Sequence, residues 1–431
     1  MRRRVLLVLL LSLSAARAAE GPPAAPAEAV VPDAAAFPGW LAAFRTDAIA
    51  QGIKPETYEA AFAGAQPVER VIELDRRQPE FLQTFAEYFD RRVTPSQIAR
   101  GETMLAEHAA LLDAVEAQYG VPKTVLVAFW GLETRYGAYL GSFNIPLSLA
   151  TLAWEGRRSA FFKSQLIDAL RIVDAGHVAA ADMNGSWAGA MGQMQFMPST
   201  FRAYALDGDG DGRIDLWNSL PDALHSAAHY LKRAGWRTGE PAAREVRLPA
   251  DFDWRQARIT HRVPLADWIA AGVVPADGGA WPSVAGPAAI VLPQGWQGPA
   301  FMVFDNFDVV MRWNRSVNYA LAVAQLANRL AGGVTLVARA GEAGALSTAQ
   351  VRTMQHYLNT LGFDTGTPDG LMGPRTQSAL RRFQAAQNLP ADGYPSPSVY
   401  ARIEAVHETA DRLSLAPSAT LSDPPSGGTH P

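Results

Sequence analysis

The chain has no cysteine among its 431 residues. That absence excludes disulfide staples, thiol nucleophiles, cysteine–zinc sites and a lipid-modified N-terminal cysteine. Stability must come from packed apolar cores, and 431 residues are too many for one ordinary core. Long apolar runs are also lacking. Only residues 5–13 stand out, and that run is too short to span a bilayer comfortably. Positive charge is not in surplus, because the formal net charge is −4. Such a chain is a poor match for a phosphate backbone, so no nucleic-acid partner is expected.

What is present starts with an export signal. Arg2, Arg3 and Arg4 precede the apolar run, and Ala16-Arg17-Ala18 fits a small-x-small cleavage site. Residues 1–18 therefore read as a signal peptide. Its removal would take Arg2, Arg3, Arg4 and Arg17, shifting the net charge from −4 to −8 and leaving no membrane anchor. An exported chain without disulfides fits a bacterial periplasm. Residues 19–36, rich in Ala and Pro, read as a flexible leader.

Periodicity predicts a mainly helical protein with a small β insertion, followed by a three-helix module. Leu105, His108, Leu111, Leu112, Val115 and Tyr119 form one stripe that Gly120 ends, and Pro122 opens the next helix. Helical spacing returns at 158–175, 221–234 and 320–330. Residues 244–248, 289–292 and 301–304 read as strands, with a turn at 294–298. The main domain is expected over 37–337 and a linker over 338–346. The module covers 347–406, with Ser347 as a helix cap and a third helix over 396–403. Residues 407–431 form a tail, disordered at its end.

Glu133 ends a helix that is apolar on nearly every side from Val125 to Leu132. Poor solvation raises a carboxyl pKa, which suits a general acid. The plainer alternative is a buried Glu paired with Arg135 or another cation. Residues 185–199 then interleave small residues with Ser186, Trp187, Gln193 and Gln195, chemistry suited to an uncharged sugar or to a mere structural turn. Asp207, Asp209, Asp211 and Asp215 occupy positions one, three, five and nine of an EF-hand-like loop, and Arg213 offers its carbonyl. Asn218 stands where the bidentate Glu belongs, so Asp222 is the candidate to close a structural calcium site; an ion-free Asp/Gly turn is the alternative. His225 and His229 have the i, i+4 spacing of a zinc pair but lack the following Glu, since Ser226 is there, so they read as packed histidines.

The segment Gly131-Leu132-Glu133-Thr134-Arg135-Tyr136-Gly137 and the later Gly185-Ser186-Trp187-Ala188-Gly189-Ala190-Met191-Gly192, ending in Gln195-Phe196-Met197-Pro198-Ser199, together resemble the MltB family of lytic transglycosylases. The likeness runs from about 37 to 331. It implies a lysozyme-like α+β core, with Glu133 as acid/base and Ser186 and Gln195 as substrate contacts. Asn314, Ser316 and Tyr319 would line the cleft, with Trp313 in place of the family's usual Tyr; Tyr88 and Tyr230 match cleft tyrosines. An EF-hand-like calcium loop is also a family feature. Residues 347–406, with Asp369-Gly370, Gly373, Thr376 and Phe383-Gln384, resemble a type 1 peptidoglycan-binding domain. The resemblance implies cleavage of glycan strands between N-acetylmuramic acid and N-acetylglucosamine, forming a 1,6-anhydro ring through one Glu and no organic cofactor. A water-delivering muramidase, a non-catalytic wall-binding scaffold and a calcium-dependent protein-binding module remain open at this point.

Overall fold

Apolar stripes at helical spacing become packed helices through most of residues 37–330. The computed structural model describes residues 32–76, 83–338 and 341–415. The signal peptide, most of the leader and the tail beyond 415 lie outside these. The first helix, Phe37–Ala50, buries Phe37, Leu41, Phe44 and Ala48 along one face. Phe37, Leu41 and Phe44 each contribute about 1.5–3 kcal/mol when fully withdrawn from water, and the Ala48 methyl less.

One expected helix is two. The stripe through Leu105 and Tyr119 divides into Pro95–Glu107 and Ala109–Tyr119. His108 leaves helical geometry at the break, with φ −112° and ψ 23°. Its ring packs against Trp130, with centroids 5.8 Å apart. Gly120 does end the second helix, at φ 69°. A side chain there would collide with Thr238, whose hydroxyl donates to the Gly120 carbonyl at 3.0 Å.

The helix Lys123–Thr134 lies at the centre, and every residue from Leu126 to Leu132 is buried. It packs on Pro95–Glu107 and on Val317–Leu330. A second buried helix, Ile145–Glu155, packs on Ser159–Asp174.

Strands are few. β1 (Phe143–Asn144) and β2 (Asn184–Gly185) pair antiparallel. The β insertion is a four-stranded antiparallel sheet of β3 (Ala243–Arg247), β4 (Val274–Pro275), β5 (Ala289–Val291) and β6 (Ala300–Val303), in the order β4-β3-β6-β5. Three of these strands match the expected ones; the two-residue β4 carries too short a pattern to read. One face of the sheet has its own core around Val246, Phe252, Trp268, Ile290, Met302 and Phe304.

The C-terminal module is three helices, Thr348–Thr360, Pro374–Ala386 and Pro397–Leu415, around Val351, Met354, Leu358, Leu380, Phe383 and Ile403. Ser347 caps the first helix in a capping box with Gln350. The third runs well past its expected end at 403 and past the module boundary at 406. Two buried glutamines pin the Asp-Gly turns. Gln355 accepts the amides of Asp369 (2.9 Å) and Gly370 (2.7 Å), and Gln384 accepts that of Gly393 (2.8 Å).

The segment read as a linker is held at its described residues. Glu245 on β3 accepts the amides of Val337 (2.8 Å) and Ala338 (2.7 Å). Gln294 donates to the Glu342 carbonyl (3.1 Å) and accepts the Ala86 amide (2.9 Å). The Trp296 amide donates to Asp392 of the module at 2.8 Å. Among the described residues, no helix is long and apolar enough to cross a membrane.

Candidate active site

Glu133 sits on the last turn of its helix, which stops abruptly. Arg135 and Tyr136 both adopt left-handed backbone, at φ 52° and 60°, followed by Gly137 at φ 78°. Left-handed non-glycine residues cost roughly 1–3 kcal/mol each, so the surroundings must hold them. They do: the Tyr136 ring folds back over Gly131, where a Cβ would lie 2.6 Å from it, and its hydroxyl donates to the Gln97 carbonyl at 2.7 Å.

The carboxyl group is bonded on one oxygen. Trp313 Nε1 donates to Oε1 at 3.0 Å and the Tyr319 hydroxyl donates to the same atom at 2.5 Å. Among the described residues no hydrogen bond reaches Oε2. Burial pushes the Glu133 pKa up, while the Tyr319 and Trp313 donors and the nearby Arg92 guanidinium pull it down; burial prevails. The alternative of an ion pair with Arg135 is not what the structure has: Arg135 is exposed and makes no bond to Glu133.

The two donors are placed by helix ends. Trp313 closes Asp305–Trp313, and its ring is wedged against Phe129 (4.5 Å), Tyr230 (5.1 Å) and Phe196 (5.3 Å). Tyr319, itself buried, lies in the first turn of Val317–Leu330, where Ser316 caps the helix by accepting the Tyr319 amide at 3.2 Å. Tyr88 lies near enough to be coupled electrostatically to Glu133 and Tyr319. Burial raises its hydroxyl pKa, and the Glu133 charge adds to that.

Structure and sequence divide the expected residues into groups. Glu133, Trp313 and Tyr319 are directly bonded, Tyr230 packs on Trp313, Tyr88 shares their field and Ser316 acts as a cap. Ser186, Gln195 and Asn314 make no bond to Glu133. The Ser186 hydroxyl oxygen accepts the Ala190 amide at 2.9 Å. Gln195, at φ 48°, donates its amide to the carbonyls of Gly192 (3.1 Å) and Leu140 (3.2 Å). Asn314 is exposed. Three residues not singled out for a role frame the site. Gln193 accepts Trp130 Nε1 at 2.8 Å, and its carbonyl accepts the Thr134 hydroxyl at 2.9 Å, so the glycine-rich loop is tied to the Glu133 helix. Arg92 supplies the cation. Gln193 and Thr134 sit inside the two motifs, but nothing in the order of residues distinguishes a brace from a contact.

No second carboxylate competes among the neighbours considered from sequence. Glu155 is buried and bridged to Arg76 at 2.8 Å, and Asp182 is exposed. The two histidines are packed, as expected: His225 meets the Tyr119 hydroxyl at 3.3 Å and His229 the Tyr204 carbonyl at 2.9 Å.

The acidic loop separates into ligand-type and bracing residues. Carboxylate oxygens of Asp207, Asp209 and Asp211 lie within 4.8 Å of one another. Amides of Gly212 (2.8 Å), Gly210 (2.6 Å) and Asp211 (3.2 Å) point at Asp207 and hold its pKa down. Asp222 is buried and accepts the amides of Gly208 (2.7 Å) and Asp215 (2.6 Å), closing the loop from inside. Asp215 accepts the Trp217 and Asn218 amides, both at 3.0 Å. Arg213 anchors its side chain on the His177 carbonyl at 2.8 Å.

Comparison with known proteins gives the family. Residues 36–328 match the profile of the transglycosylase SLT domain, and residues 347–403 match that of a peptidoglycan-binding domain. SltB3 from Pseudomonas aeruginosa, solved with NAG-anhNAM-pentapeptide and with NAG-NAM-pentapeptide, is 45% identical with a TM-score of 0.83. That match covers 85% of this chain and 99% of the other. Membrane-bound lytic murein transglycosylase B of Escherichia coli is 32% identical over 257 residues, which are 57% of this chain and 66% of that relative. The Escherichia coli lytic transglycosylase Slt35, solved with calcium, is 28% identical with a TM-score of 0.58, covering 68% of this chain and 92% of the other.

Proposed function

Because this chain belongs to the transglycosylase SLT family of lytic murein transglycosylases, we propose that it cleaves the β-1,4 bond between N-acetylmuramic acid and N-acetylglucosamine with Glu133 as its single acid/base. The observation that carries this reading is the one-sided carboxyl group. Trp313 has an N–H to give and no lone pair to take, so Oε1 acts as acceptor in both protonation states. The transferable proton belongs on Oε2.

The steps follow. Burial favours the protonated form of Glu133, whose Oε2–H gives its proton to the glycosidic oxygen as the C1–O bond breaks. The donors on Oε1 steady the carboxylate left behind. The substrate's own acetamido oxygen supports the positive charge at C1. Oε2 then takes the proton of the muramic acid C6 hydroxyl, whose oxygen bonds C1 and closes the 1,6-anhydro ring. Attack from within the same sugar needs no second reactant to be held, provided water stays out. Ordinary glycosidases need a second carboxylate for this stage.

Glu133→Gln keeps the shape and removes the proton donor. Lysis of purified sacculi is expected to fall by about 10²-fold or more. Mass spectrometry of the wild-type digest is expected to show anhydro ends. Reducing ends instead mean a muramidase, and undiminished lysis by Glu133→Gln removes the residue from the mechanism.

The remaining roles accompany this reading. Ser186, Gln195, Asn314 and Tyr230 lie on the elements that border the carboxyl group and serve as strand contacts. The convergent carboxylates of Asp207, Asp209 and Asp211 fit a hard cation with oxygen ligands, so calcium is assigned a structural role there, with Asp215 and the Arg213 carbonyl as the rest of the set and Asp222 bracing the loop rather than ligating. The C-terminal module holds peptidoglycan. The export signal directs the enzyme to the periplasm.

A further inference from the structure

A cavity of about 220 Å³ lies where the module meets the turn after β5, lined by Trp296 and Gln297 from one side and Asp392, Tyr394 and Arg402 from the other. It shares no residue with the Glu133 site. Its wall is rigid. Trp296 is 45% exposed, yet it ends a ladder of rings: Trp254 at 5.9 Å, then Phe252 at 5.5 Å, then the fully buried Trp268 at 6.2 Å. Gly295, at φ 71°, brings this turn so near the module that a Cβ would lie 3.0 Å from both Asp392 and Tyr394.

The charged groups around the cavity already hold hydrogen bonds within the protein. Asp392 is buried and accepts Gln384 Nε2 (2.7 Å) and the amides of Trp296 (2.8 Å) and Tyr394 (2.9 Å). Glu342 accepts the amide (2.7 Å) and hydroxyl (2.6 Å) of Ser398. Arg402 holds Gln387 through two nitrogens, at 2.8 and 3.1 Å. Among the described residues, the lining side chains without a hydrogen-bond partner include three neutral groups: the Trp296 indole N–H, the Gln297 amide and the Tyr394 hydroxyl. An aromatic platform ringed by neutral donors suits a neutral, polyhydroxylated guest better than an ionic one. The size suits one ring, not a strand.

We propose that this joint is a second saccharide site, which takes one N-acetylated amino-sugar ring of a glycan strand, with the ring face on Trp296 and its hydroxyl and acetamido groups on Gln297 and Tyr394. The proposal rests on peptidoglycan being the substrate. It assigns wall binding to a surface built jointly by the β insertion and the module, so neither part alone carries the site.

The test uses the full chain labelled with 5-fluorotryptophan, followed by fluorine NMR during titration with chitotetraose. Loss of one signal in Trp296→Phe assigns Trp296, and loss in Trp313→Phe assigns Trp313. The expected result is that both signals shift, with separate saturation curves. A Trp296 signal that stays fixed while Trp313 saturates overturns the joint site and leaves the cleft reading standing. A moving Trp296 with a silent Trp313 supports the joint and counts against the cleft. Fixed signals for both up to millimolar sugar also overturn the proposal. In addition, Trp296→Ala is expected to weaken association of the Glu133→Gln chain with purified sacculi about fivefold, and Trp296→Phe to recover most of it. Thermal melts check that both variants are folded, and Tyr394→Phe, which removes only a hydroxyl, provides a milder second probe. Unchanged association in folded Trp296→Ala also overturns the site.

Discussion

Trp313 and Tyr319 lie 180 and 186 residues from the carboxyl oxygen they bond, and they set how firmly Glu133 keeps its proton. Each donor stabilises the carboxylate, so deleting one raises the pKa further. Trp313→Phe keeps a ring and loses the N–H. Its kcat/KM is expected to fall about tenfold, and the alkaline limb of the pH profile to move to higher pH, because the acid form persists longer. A limb that stays put separates Trp313 from the acid. Stability gives a second reading. The folded pKa of Glu133 is raised, so its contribution is complete at pH below the unfolded carboxyl value and is lost as pH climbs through the folded one. Glu133→Gln is therefore expected to melt higher than wild type at pH 7, with the gap closing toward pH 4. The apolar approach from Val125 to Leu132 made the carboxyl's burial legible in the sequence. The two donors were legible only as cleft residues, because a bond between chain-distant groups leaves no local pattern.

At the level of elements, ends matter more than middles. The helix carrying Glu133 was readable from its apolar run, and Gly120 and Pro122 marked its start. Its stop was not, since Arg135 and Tyr136 take left-handed backbone that their residue types do not advertise. Gly131 makes that stop fit. Gly131→Ala would push a methyl into the Tyr136 ring, and denaturant unfolding is expected to show a loss of about 1–3 kcal/mol, with activity reduced as the helix end shifts. The break at His108 was missed for the opposite reason: the apolar stripe continues in phase across it, and the His108 ring at the break packs on Trp130, a contact distant in sequence. The Asp-Gly spacing of the acidic loop was readable, but not its division of labour, in which Asp222 braces from inside, Asp207 gathers the loop amides and Asp209 and Asp211 are exposed. Calcium at a hundredfold excess over its Kd is expected to add about 2.7 kcal/mol, read as a rise in Tm of several degrees that chelation reverses. Asp207→Ala is expected to abolish that rise, and a calcium-insensitive melt removes the ion from the loop.

Over the whole molecule, composition foretold separate cores and a C-terminal module, but not how the module is held. Small residues at 338–344 look like slack chain. Instead Glu245, a buried carboxylate whose pKa burial raises, receives the amide of Ala338 at the segment's start and that of Val337 just before it. Glu245→Ala is expected to release it. Hydrogen exchange at Val337 and Ala338 rises and limited proteolysis cuts near 340, while the two flanking cores keep their protection. Equal protection in the variant means other contacts hold the joint. An arm swinging on slack chain lets cuts fall anywhere within its reach. One bolted at Glu245, Gln294 and Trp296 sets a constant spacing between grip and blade, so fragments released from one long strand fall into a ladder with a fixed step.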